Sequence, residues 1–164
     1  MIKTIGTAAC TAVAVESDPY IPLTISWSSE NKRQPLYWRI TGKAGGELEI
    51  KVDAQSGAIR ELVIIEAPPK AIGADTPDSR EAEAGIPVFN RSPWGISTNP
   101  DYSEFKAGVV TSTEDLSFSM ENGTIKLAFS TKRAVRALVC DNVQIYLAGD
   151  GSLSAVVVQS PSAT

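Results

Sequence analysis

Residues 47 to 65, ELEIKVDAQSGAIRELVII, and residues 142 to 158, NVQIYLAGDGSLSAVVV, carry one device twice. In the first, Leu48, Ile50 and Val52 alternate with polar residues, the turn DAQS closes on Gly57, and Ile59, Leu62 and Ile64 follow. In the second, Val143, Ile145 and Leu147 alternate, AGD closes on Gly151, and Leu153, Val156 and Val158 follow. A period of two puts every apolar member on one face of a strand. A short polar turn ending on Gly supplies the positive φ of a tight hairpin. Both copies step by three after the first apolar residue past the Gly, where alternation would step by two. That slip predicts a β-bulge, or a strand with both faces partly buried. A third hairpin runs from Leu116, Phe118 and Met120 through Glu121-Asn122-Gly123 to Ile125, Leu127 and Phe129, with the Asn-Gly turn that hairpins favour. Three hairpins of differing turn length do not by themselves establish a duplication.

The remaining segments extend this pattern. Ile21, Leu23, Ile25 and Trp27 fall on one side of a strand with Thr24 and Ser26 opposite, and Pro22 near its start suggests a sheet edge. Leu36 to Gly42 is a further run of β-formers, and SSENKRQP reads as the hairpin loop between the two. MIKTIGTAACTAVAVES has Lys3 and an Ala12-Val13-Ala14 of the kind a signal peptidase cuts. A single Lys, with Gly and Thr diluting the apolar part, makes it a sheet strand instead and the protein cytoplasmic. PDSREAEAG, residues 77 to 85, predicts about two helical turns, and TKRAVRALV, residues 131 to 139, a helical turn or a strand. Between Glu66 and Asp115 lie six of the ten prolines, alternation disappears, and Phe89, Trp94, Tyr102 and Phe105 are spread through the segment. Residues 66–115 read as an irregular insertion or crossover pinned across a sheet face by its aromatics. The expected fold is one all-β domain over residues 1–164: an antiparallel sandwich or strongly curved sheet of consecutive hairpins. It would have about seven to ten strands and at most one or two short helices.

Composition narrows the function. A chain of 164 residues with 43% hydrophobic and 21% charged side chains is ordinary for a globular domain. A net charge of −4 repels phosphate backbones, so nucleic acid is a poor partner. No run approaches the roughly 18 apolar residues of a membrane span. There is no histidine, which removes the commonest general base, the usual nucleophile triads and most transition-metal sites. Carboxylate chemistry stays formally open through Asp53, Asp75, Asp78, Glu81, Glu83, Asp101, Asp115, Asp141 and Asp150. Asp53 and Asp150 sit in turns, where Asp bonds the local backbone. AGDG and GKAGG lack the Gly-Lys-Ser/Thr of a phosphate loop, and DGSLS lacks the alternating acids of a calcium loop. We therefore expect no enzyme, no metal and no cofactor.

Two basic clusters, Lys132 with Arg133 and Arg136, and Lys32 with Arg33 and Arg39, read as solvated or edge-guarding charges. Arg39 beside Tyr37 and Trp38 could instead face an anionic ligand or an acidic partner. Trp27, Trp38 and Trp94 could make a sugar platform, though the alternation around Trp27 assigns it to the core. Cys10 and Cys140 match no metal or redox spacing and read as small, buried, reduced hydrophobes.

Two functional readings follow. In general style, hairpins such as LEIKVDAQSGAIRELVI and VQIYLAGDGSLSAVVV resemble those of bacterial immunity proteins, small cytosolic antidotes that plug cognate toxins of contact-dependent or type VI secretion systems. The resemblance covers the sheet portion, contains no diagnostic motif and carries over no functional residue. It implies a non-catalytic module that neutralises another protein, such as a basic toxin domain, through an acidic or aromatic surface whose affinity rests on a few anchors. On that reading the anchors come from the insertion: Trp94, Tyr102, Asp101, Asp75, Asp78 and Glu81. The alternative is a small-molecule or carbohydrate-binding β-sandwich with a loop over a sheet face.

Overall fold

The computed structural model describes residues 1–29, 31–70, 82–95 and 108–159. The first half supplies β1 (Thr4–Ala8), β2 (Val13–Glu16), β3 (Leu23–Trp27), β4 (Leu36–Gly42), β5 (Glu47–Val52) and β6 (Ile59–Glu66). The middle supplies β7 (Ala82–Ala84), β8 (Ile86–Phe89), a 3-10 turn at Ser92–Trp94, and β9 (Val109–Glu114). The last part supplies β10 (Ser117–Glu121), β11 (Thr124–Ala128), β12 (Ala134–Cys140), β13 (Val143–Ala148) and β14 (Leu153–Gln159). The fold is all-β and sandwich-like.

Two six-stranded sheets carry it, ordered β2-β3-β6-β5-β4-β9 and β10-β11-β14-β13-β12-β7. The orders are the same path taken twice. In each, a hairpin is followed by a three-strand meander whose last strand returns to pair with the hairpin's second strand. Each sheet then ends on a parallel edge strand, β9 on β4 and β7 on β12. The repeated device at residues 47–65 and 142–158 is thus one member of a larger duplication of topology. Alternation sends Leu23, Ile25, Trp38, Ile40, Leu48 and Ile50 of the first sheet, and Leu127, Leu138, Ile145 and Val156 of the second, into one continuous core.

Both predicted bulges are present. Register runs Lys51↔Glu61 and then Val52↔Ile59, which leaves Arg60 as the extra residue. It runs Tyr146↔Ala155 and then Leu147↔Leu153, which leaves Ser154. The extra residue restores Ile59 and Leu153 to the core face, which is the step of three in the sequence.

A two-stranded ribbon, β1 paired antiparallel with β8, joins the sheets. Thr4 and Phe89 are register partners in this ribbon. The Thr4 N–H donates to the Gly151 carbonyl at 2.9 Å, and the Phe89 N–H to the Gly57 carbonyl at 2.8 Å. Isolated bridges extend each contact, Lys3 to Ser152 and Val88 to Ala58. The ribbon therefore docks one strand on the β13–β14 turn and the other on the β5–β6 turn. Both glycines have positive φ, 83° and 85°. A Cβ on Gly57 would stand 2.6 Å from the Phe89 carbonyl oxygen, and one on Gly151 3.1 Å from that of Thr4. Phe89 also packs edge-on against Trp38, with centroids 5.5 Å apart.

Several expectations are corrected. Pro22 does not mark an edge: β3 lies between β2 and β6, and β2 is the edge. Residues 28–35 are a crossover, not a hairpin loop, because β5 and β6 lie between β3 and β4. Residues 82–84 of the predicted helix form β7, held by parallel pairing to β12. The described parts of the 66–115 segment contribute three strands, so the structure has fourteen strands among the described residues. Those strands escaped notice because they are short, or bind through backbone rather than through an alternating apolar face. TKRAVRALV is largely strand β12. The cysteines are not reduced: Cys10 and Cys140, 130 residues apart, form a disulfide with Cα atoms 5.6 Å apart. Sequence spacing carries no information about that proximity, which follows from β1 leading its chain past the end of β12. Closing so long a loop stabilises by about 4–5 kcal/mol in the chain-entropy picture. No helix among the described residues is long and apolar enough to cross a membrane.

Gly57→Ala and Gly151→Ala should each lose at least about 1 kcal/mol from left-handed strain alone, with the loss greater at Gly57, where backbone oxygen blocks the Cβ. Gly149, with nothing within 4 Å of a built Cβ, should accept Ala within about 0.5 kcal/mol. Urea denaturation of the three variants checks the order.

Candidate functional site

The outer faces of the two sheets differ. On the second sheet Ala137, Tyr146, Ala155 and Val157 are buried in a small cluster of their own. On the first sheet the outward positions are mostly polar, and half-buried or exposed. Pairing arranges them in rows: Ala14, Ser26, Glu61, Lys51, Tyr37 and Val109, then Glu16, Thr24, Val63, Glu49, Arg39 and Thr111. A shorter row holds Glu66, Glu47, Thr41 and Thr113. The two cations are committed, Arg39 to Glu49 at 3.2 Å and Lys51 to Glu61 at 2.9 Å. The hydrogen bond to Glu61 raises the Lys51 pKa against the opposing pull of burial.

Glu16, Glu47 and Glu66 have no cationic partner among the described residues. Glu47 and Glu66 are direct cross-strand partners. Like charges in that relation destabilise a sheet. All three acids stand at the end of the sheet from which the β2–β3 loop projects. That loop is braced: Asp18 Oδ1 accepts the N–H groups of Tyr20 and Ile21, both at 2.7 Å, and the Ser17 hydroxyl donates to the Pro22 carbonyl at 2.7 Å. It presents Tyr20 at 90% exposure and Ile21 at 41%, with Ile65 at 46% on the β6 end nearby in register. The result is an apolar tip with an aromatic side chain on a rigid turn, rimmed by uncompensated acids.

The turn carboxylates serve structure. Burial opposes ionisation of Asp53, but the N–H groups of Ser56 and Gln55 and the Asn31 amide outweigh it and hold its pKa below the ordinary value. The Lys132 ammonium, with the Ser152 hydroxyl and N–H, holds Asp150 well below the usual carboxylate range. No group of three or more His, Cys, Asp or Glu side chains suited to a metal occurs among the described residues.

Of the sequence-predicted anchors, Trp94 is half-buried on the 3-10 turn, and its indole N–H donates to the Tyr37 carbonyl at 3.0 Å. It pins the crossover to the first sheet. Asp75, Asp78, Glu81, Asp101 and Tyr102 lie outside the described residues. Trp27 is in the core as expected. Trp38 is there too, its N–H bonded to Ser112 at 2.9 Å, so it does not join Tyr37 and Arg39 on the surface. Lys132 and Arg136 of the basic cluster pair with Asp150 and Glu83. The tip was missed although DPYIP, residues 18–22, shows its signal: an Asp-Pro turn carrying two large apolar residues where turns are normally polar.

No protein-family model matches the chain, and no curated protein is similar to it.

Glu66→Lys should raise stability by about 0.2–1 kcal/mol, because it turns an opposed pair of acids into an attractive pair; thermal unfolding beside wild type measures it. Asp53 contributes stability that is complete above about pH 3.9 and is lost as pH falls through its lower folded-state pKa. Asp53→Asn should therefore flatten the acid limb of a stability–pH curve taken by denaturant titration.

Proposed function

We propose that the chain is a non-catalytic binding module that neutralises a basic protein, a bacterial toxin domain being the partner that the immunity-protein resemblance implies. The observation that carries this reading is the open outer face of the first sheet. Two glutamates there oppose one another, and no cation among the described residues neutralises them. Charge retained against stability on an open face suits a surface whose countercharge arrives with a partner. The same field would steer a basic protein and repel nucleic acid.

Other features weigh in the same direction. Asp53 and Asp150, the acids placed in turns, spend their lone pairs on local bonds, which weighs against a two-carboxylate hydrolase. Two tryptophans in the core and a third half-buried weigh against a carbohydrate platform. On location the Cys10–Cys140 bond weighs the other way: it favours an oxidising compartment over the cytosol in which the resembled antidotes work.

The test uses tagged wild type and a Glu16→Lys, Glu47→Lys, Glu66→Lys triple variant as baits in the source lysate. A basic partner held by wild type at moderate salt and lost by the triple variant is the expected result. Retention of the same partner by the triple variant with unchanged salt dependence would overturn the reading, as would a wild-type bait that holds no protein.

A further inference from the structure

Among the described residues seven large apolar side chains are exposed, and five of them fall in two patches. One is the tip end of the first sheet, with Tyr20, Ile21 and Ile65. The other is a cleft of about 300 Å³ between β1, the start of β12 and the end of β13. Ile5, at 68% exposure, and Val135, at 60%, line it. Val135 is the irregular residue between the Ala134 and Arg136 pairings, and that irregularity turns it outward.

The charges around the two patches are opposite. The tip is rimmed by Glu16, Glu47 and Glu66. Next to the cleft lining along the chain, Arg133 stands two residues before Val135, and Lys3 directly precedes Thr4. Both cations are exposed and have no ion-pair partner among the described residues. Arg136 and Lys132 add two further cations, each neutralised by one acid.

We propose that the tip of one copy docks in the β1–β12 cleft of a second copy. Tyr20, large and rigidly presented, is the anchor; Ile5 and Val135 form the apolar walls that receive it; the acid rim meets Arg133 and Lys3. Aromatic anchors in desolvated pockets carry most interface energy, while rim charges set the encounter rate and the salt dependence. The contact is heterologous, since each copy offers both surfaces, and so it propagates head to tail. It requires no other protein, but it uses the acid rim on which the neutralising reading also rests, so the two contacts would compete for one surface.

Sedimentation velocity on the purified chain tests it. Wild type should associate with rising concentration, and added salt should weaken the association. Tyr20→Ala removes the tip anchor and Arg133→Glu reverses the cleft charge; both sites are exposed, so folding should be intact, and each variant should self-associate about tenfold more weakly or worse. The mixture of the two variants distinguishes the geometry. The intact tip of Arg133→Glu can enter the intact cleft of Tyr20→Ala, and the altered surfaces left over cannot take a further copy, which gives a one-to-one dimer that cannot extend. Wild type that stays monomeric at every concentration would overturn the proposal, and so would a mixture that forms no dimer.

Discussion

Thr4 and Phe89 face each other across the β1–β8 ribbon, and each donates its backbone N–H to the carbonyl of a turn glycine in a different sheet. Most of the architecture hangs on that pair of contacts. Each sheet has an apolar inner face that needs the other, and the ribbon holds the two hairpin turns at fixed positions relative to one another. The glycines are required twice over, by positive φ and by the approach of ribbon backbone. The disulfide ties the chain leaving β1 to the end of β12, at the far end of that strand from the Gly151 turn.

The duplication sharpens what is peculiar to each half. Equivalent strands in equivalent order present very different outer faces: small and apolar around Tyr146 in the second sheet, polar and acid-rich in the first. A fold needs only the inner faces for its core, so the outer ones are free to diverge. On the first sheet this freedom has produced an arrangement that a sheet optimised for stability would avoid, with Glu47 opposite Glu66 and an exposed tyrosine on a stiff turn. On the second it has produced a buried apolar face.

Much of this was legible in the residues. The alternating runs gave β3, β5, β6, β11, β13 and β14, and the step of three located both bulges, because a buried face leaves a period in the sequence. What was not legible depends on contacts between distant segments. Nothing in SSENKRQP says that two strands will come between its ends, and nothing in AEA or IPVF marks strands that are held by backbone pairing. Cys10 and Cys140 meet only because the ribbon and the crossover bring them together. The site was hidden for a related reason. Glu47 and Glu66 look like routine strand-end polar residues until register places them opposite one another.

Native-state hydrogen exchange at the Thr4 and Phe89 amides tests most directly whether the ribbon unites the two sheets. Ribbon docking that belongs to the cooperative unit predicts that both protons exchange only on global unfolding, with the same free energy as core amides such as Ile50 and Ile145. Rapid exchange at either amide while the cores of both sheets stay protected would contradict it, and would make the ribbon an appendage to two sheets held together by packing alone.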